Sequence, residues 1–349
     1  MKRYVLICLG ILFLLCTGCE EYGAAPESAP PSSEEIRREA ERLAQAQLGA
    51  LDPLITSQER ERVVSLLERA VPLRRAREAD GSWERSGEEE RLTHQLNRLY
   101  ERYTVKYIGS GGVWGYGAPE ERVLAEYVIQ QGSRLRRDTR AKTEESGYTE
   151  EDFQGLWEDM YAALPQGAWA DFSRLIIFTD GEDETLAYVY PADSAGDKWV
   201  VAVDPADAGD WRWFLETVLH EYAHYVTLNS SQVTYTEEQT VTTYNEEGMV
   251  SSDDSYLNAF YQAFWVDYLD DRLVNRDSYN FFLRHEDDFI TAYASTDPSE
   301  DIAECFTYFI LGDTVQGDAV WEQKLDFFYQ YPELEQFRAE TRNRLGLDK

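Results

Sequence analysis

The stretch from Trp211 to Leu228 constrains this chain more than any other. It runs without Gly or Pro, and Asp210 stands just before it as an N-cap, so one helix of about five turns is predicted. Inside it lies His220-Glu221-Tyr222-Ala223-His224. Residues four apart on a helix share one face with about 6 Å of rise, which lets two imidazoles converge on one metal ion. Glu221 sits about 100° around the helix from His220, beside such an ion but free of it. The chain has only 4 His in 349 residues, and chance gives this spacing odds on the order of 1 in 200. The competing reading, two core or capping histidines, leaves two imidazoles and a carboxylate needing other partners for every buried polar atom.

A third protein ligand must come from further along. The candidates are His285 and the acidic group from Glu300 to Glu304. Pro298, Ser299, Glu300 and Asp301 suit the first turn of a helix, on which Glu300 and Glu304 share one face. Cys305 and the aromatics after it form an apolar run, so Cys305 is expected to be a buried core thiol.

These residues together resemble the zincin metallopeptidases. The metzincin branch is excluded, because Thr227 and Ser230 occupy the positions where it needs Gly and His. The segment from Tyr293 to Glu304 resembles the third-ligand helix of gluzincins. It is most similar to the anthrax lethal-factor-like zincins, which pair a Glu-x-x-x-Glu helix with a tyrosine seven residues before the ligand. The resemblance implies His220, His224 and Glu300 as Zn2+ ligands and Glu221 as general base on zinc-bound water. It also implies Glu304 as the carboxylate orienting a ligand histidine, and Tyr293 as a hydrogen-bond donor to the transition state. Glu304 stays open as an alternative third ligand, and after it His285 or Asp301. The resemblance covers about residues 164–311 and implies a zinc-dependent peptidase acting on a peptide or protein substrate. The alternative is a catalytically silent zinc-binding surface lipoprotein that serves as a binding or adhesion module.

The surrounding pattern predicts an α+β fold. Strands are expected at Leu175 to Thr179, Leu186 to Tyr190 and Trp199 to Val203, forming a short mixed sheet packed on the metal helix, with a helical C-terminal subdomain. Trp199 to Val203 is expected to be the sheet edge that receives substrate as an added strand. Residues 164–349 are assigned to this zincin-like domain and residues 34–163 to a mainly helical N-terminal region. That region has helical stretches from Ser33, from Ser57 to Ala76 and from Gly87 to Tyr103. The Gly-rich run from Gly109 to Gly117 lacks the Lys and Ser/Thr of a phosphate loop and reads as a plain loop.

The chain begins Lys2-Arg3, followed by an apolar run to Leu15 and then Cys16-Thr17-Gly18-Cys19. The run is shorter than the roughly 20 residues of a spanning helix and reads as an export signal. Its end resembles a bacterial lipobox, which implies a signal peptide over residues 1–18, a lipidated Cys19 anchored to the membrane and an extracytoplasmic location. Residues 19–33, rich in Glu, Ala, Pro and Ser, read as a flexible tether. The 33 Lys+Arg against 66 Asp+Glu exclude nucleic-acid partners, because phosphate-backbone affinity comes largely from basic side chains.

Overall fold

The computed structural model describes residues 31–107, apart from 49–50, 52–53, 81 and 83–84. It also describes residues 121–348, apart from 181–184, 239, 241, 247, 275–280, 283 and 315–316. These fall into two compact units, one holding residues 31–107 and the other residues 121–348. The expected signal peptide, Cys19, nearly all of the tether and the Gly-rich run lie outside the described residues. No helix among the described residues is long and apolar enough to cross a membrane.

The first unit is three helices, α1 (Ser33–Leu48), α2 (Ser57–Ala79) and α3 (Gly87–Tyr107). Two of them open with reciprocal caps. The Ser32 N–H donates to Glu35 Oε2 at 2.7 Å while the Glu35 N–H donates to Ser32 Oγ. Thr56 and Glu59 repeat the arrangement at the start of α2. Such boxes satisfy amides that a helix start would otherwise leave bare, at about 1 kcal/mol each. Leu43, Leu48, Val64, Leu67, Leu96 and Tyr103 form the shared core.

The second unit is α+β. Five strands, β1 (Arg122–Ile129), β2 (Leu135–Arg137), β3 (Phe172–Thr179), β4 (Ala187–Pro191) and β5 (Trp199–Val203), form a sheet in the order β2-β1-β3-β5-β4. Only β3 and β5 run parallel. Between β2 and β3 lies α4 (Glu150–Ala163), opened by a Thr149–Asp152 capping box. Two expectations are corrected here. Residues 122–163 belong to the sheet-bearing unit, not to the N-terminal helical region, because Arg122–Ile129 pairs along its length with β3. The sheet edges are β2 and β4, and the one packed by the helix Trp211–Leu228 is β4, not Trp199–Val203. All five residues of β5 are buried, the signature of a strand covered on both faces, and β5 lies between β3 and β4.

The metal helix predicted from the sequence is α5 (Trp211–Leu228), and it packs against β4. Asp210 Oδ1 accepts the Trp213 N–H at 3.1 Å, and the Asn229 amide closes the other end on the Tyr225 and Val226 carbonyls. The polar segment that follows contains a small antiparallel sheet of β6 (Val233–Tyr235), β7 (Asn245–Glu246) and β8 (Met249–Ser251) in the order β6-β8-β7. Gly196, in the β4–β5 loop, has φ 76°, and a Cβ there would lie 2.6 Å from the Tyr235 ring, so only glycine allows this approach. The Tyr235 hydroxyl in turn donates to the Leu228 carbonyl at the end of α5.

The C-terminal part is helical: α6 (Tyr256–Phe264), α7 (Leu269–Val274), α8 (Pro298–Leu311), α9 (Val320–Asp326) and α10 (Pro332–Leu345). Helix α8 packs on α5 and is fixed at both ends. Asp297 Oδ1 accepts the Ser299 and Glu300 amides at its start. Arg338 and Arg342 of α10 donate to the Ile310 and Gly312 carbonyls at its end, placing positive charge on the negative pole of the helix.

Candidate metal centre

His220 and His224 lie one turn apart on α5, and Glu300 and Glu304 one turn apart on α8. Three of the four converge. His220 Nε2 is 3.1 Å from His224 Nε2 and 3.1 Å from Glu300 Oε2, and His224 Nε2 is 3.4 Å from the same oxygen. Ligand atoms held tetrahedrally at about 2.0–2.1 Å from a metal lie about 3.3 Å apart, so the triangle has the right size for one ion. His220, His224 and Glu300 are all buried, and among the described residues they form the single group of this kind.

Hydrogen bonding from a neutral His220 does not account for the triangle. Glu304 Oε1 lies 2.7 Å from His220 Nδ1, and a carboxylate only accepts, so Nδ1 carries the hydrogen. In neutral His220 the Nε2 then presents a lone pair to a second imidazole nitrogen and to a carboxylate oxygen. Such a centre needs a cation, either a proton or a metal ion. Burial opposes charge on His220, yet Glu300 and Glu304 outweigh it and hold its pKa well above the ordinary histidine value. His224 is raised as well, burial again opposing the charge and Glu300 favouring it. Burial raises Glu300 too, but the two histidines hold its carboxyl below its usual range. The donor set therefore fits a divalent cation: two imidazoles and a carboxylate, converging in a buried site on two capped helices.

Glu221 is 2 % exposed, and its Oε1 has no hydrogen-bond partner among the described residues. Burial lifts its pKa to about 7, against the opposing effect of His224 and His220 and of the Val189 backbone N–H. That amide comes from the sheet edge. Residues of β4 alternate in their bonding to β5: Leu186 accepts from Asp204 and Ala192 donates to Lys198, which leaves the polar groups of Ala187 and Val189 directed away from β5.

Tyr293 lies on a short 3-10 turn, Tyr293–Ser295, with its ring centroid 5.9 Å from that of His220. The other candidate ligands stand elsewhere. His285 pairs with Asp271 at 2.9 Å. Asp301 accepts from the Trp265 indole at 2.8 Å and pairs with Lys324 at 2.6 Å. Glu304 is turned to the Nδ1 side of His220, its other oxygen accepting the Thr291 hydroxyl at 2.8 Å. Cys305 is buried within hydrogen-bond reach of Asp301. Sequence reasoning missed Thr291 and the Val189 amide. Neither contact has a fixed spacing to the His-Glu-x-x-His motif that could have revealed it.

No protein-family model, curated protein or solved structure matches this chain.

Proposed function

We propose that this protein is a zinc-dependent peptidase with a zincin-like catalytic unit over residues 121–348. The observation that carries the reading is the convergence of His220, His224 and Glu300 beside the buried, unpartnered Glu221 oxygen. Zinc held by these three side chains would supply a Lewis acid that polarises a carbonyl and acidifies water. Glu304 fixes the His220 ring so that Nε2 points at Glu300 and His224, where these residues would hold a metal ion. Glu221, whose buried Oε1 has no hydrogen-bond partner among the described residues, takes the proton of the attacking water and passes it to the leaving amine. Tyr293 donates a hydrogen bond to the oxyanion that develops on the scissile carbonyl. The side of β4 turned away from β5 would offer the Ala187 backbone groups and the Val189 carbonyl to an extended peptide, which orients it across the site, while the Val189 N–H stays with Glu221. The same reading takes the protein to be anchored outside the cytoplasm by lipid on Cys19, on the strength of the N-terminal sequence pattern.

The test is a peptide library offered to the full chain when zinc-loaded, after chelation and after zinc is restored. Cleavage that disappears with the chelator and returns with zinc supports the reading. A zinc-loaded protein that cleaves no peptide rejects it.

A further inference from the structure

We propose that Thr291 is a positioning residue whose single hydroxyl governs both the His220 side of the metal centre and the turn that carries Tyr293. Thr291 Oγ1 donates its one hydrogen to Glu304 Oε2 at 2.8 Å and accepts the Ala294 N–H at 3.0 Å. Glu304 passes the constraint on through Oε1, 2.7 Å from His220 Nδ1. The result is an unbroken chain from the backbone of the Tyr293–Ser295 turn, through Thr291 and Glu304, to the imidazole that faces the metal position.

Each link has a reason to be directional. Threonine is branched at Cβ, which limits the rotamers its hydroxyl can adopt. A hydroxyl that receives an amide hydrogen is a better donor on its other side, and a charged acceptor strengthens the bond again. Without the hydroxyl, Glu304 keeps His220 as its partner but loses the contact on its second oxygen, and the ring it orients is held less firmly. Ala294 loses the acceptor for its amide at the same time, which loosens the turn presenting Tyr293. Partners of metal-bound histidines are worth about 10–100-fold in metal affinity, and a residue acting one bond further out belongs at the lower end of that range.

The metal-centre half of this inference rests on the geometry alone; the Tyr293 half rests on the peptidase reading. The experiment uses the full chain with Thr291→Val, which keeps the shape and removes the hydroxyl, and Thr291→Ser, which keeps the hydroxyl. Zinc affinity is read by competition with a chromophoric chelator. Thr291→Val should weaken zinc about tenfold, Thr291→Ser should stay within about twofold of wild type, and Thr291→Val should add nothing in a Glu304→Ala background. On the peptidase reading, Thr291→Val also lowers kcat while KM stays nearly constant. Equal zinc affinity in wild type and Thr291→Val overturns the proposal, as do equal losses in the Val and Ser variants or losses that simply add to that of Glu304→Ala. A wild-type protein that binds zinc but hydrolyses nothing rejects the peptidase reading and leaves the chelator result to decide on Thr291. A wild-type protein that takes up no zinc overturns both.

Discussion

Glu304 Oε1 meets Nδ1 of His220 at 2.7 Å, joining two helices whose contacting residues are 84 apart in the chain. The contact divides the work of α8 between its first two turns. Glu300 faces the Nε2 atoms, where an ion would sit, while Glu304 holds the opposite nitrogen of one imidazole. Two carboxylates on the same helix face thus acquire different roles from a single turn of separation.

This division predicts unequal losses. Glu304→Gln should weaken zinc by about 10–100-fold, the usual cost of an orienting partner. Glu300→Ala removes a donor and should exceed that, leaving no stoichiometric zinc after dialysis. Metal content by mass spectrometry together with chelator competition measures both. If Glu304→Gln proves the more damaging, the assignment of the two residues is reversed.

Metal uptake should depend on pH in a definite direction. In the metal-free protein the pKa values of His220 and His224 are raised. Their contacts with Glu300 and Glu304 therefore stabilise the fold fully below the ordinary histidine pKa, and that contribution fades as pH climbs through the raised values. Zinc needs both imidazoles neutral, so binding expels their protons. The rise in Tm on adding zinc should accordingly be larger at about pH 8 than at about pH 6. Differential scanning fluorimetry at fixed free zinc tests this, and a shift independent of pH would contradict it.

Asp301, the neighbour of Glu300, makes a buried ion pair with Lys324 at 2.6 Å, and both side chains are 0 % exposed. The Lys324 ammonium also sits 3.7 Å from the centroid of the Phe289 ring. Lys324→Met leaves the Asp301 charge buried without its partner and should cost about 3–5 kcal/mol of stability. Asp301→Asn combined with Lys324→Met should recover part of that loss, because no uncompensated charge remains. Urea denaturation of the single and double variants gives the comparison. A single variant as stable as wild type would show the pair to be inert.

The features legible in the sequence are those written in local spacing. Asp210 and the uninterrupted run after it specify α5, and the four-residue interval puts His220 and His224 on one face. Asp297, Pro298 and the acidic turn specify the start of α8 in the same way. What could not be read depends on distant pairing. Arg122–Ile129 becomes a strand because β3 lies beside it, and its own alternation is not strong enough to announce that. The resemblance to zincins puts Trp199–Val203 at the sheet edge that receives substrate, and the structure places it inside the sheet. Its unbroken apolar run is the mark of an interior strand, and β4, earlier in the chain, takes the edge. Thr291 is an ordinary polar residue until folding brings Glu304 against it.

The most direct test of the central claim compares wild type with Glu221→Gln, measuring zinc stoichiometry and peptide cleavage on the same preparations. Both proteins should carry one zinc, because Glu221 stands beside the metal position and is not a member of the ligand triangle. Removing the general base should lower turnover by about 10²–10⁴-fold. A Glu221→Gln protein that holds zinc and cleaves peptide at the wild-type rate would contradict the account.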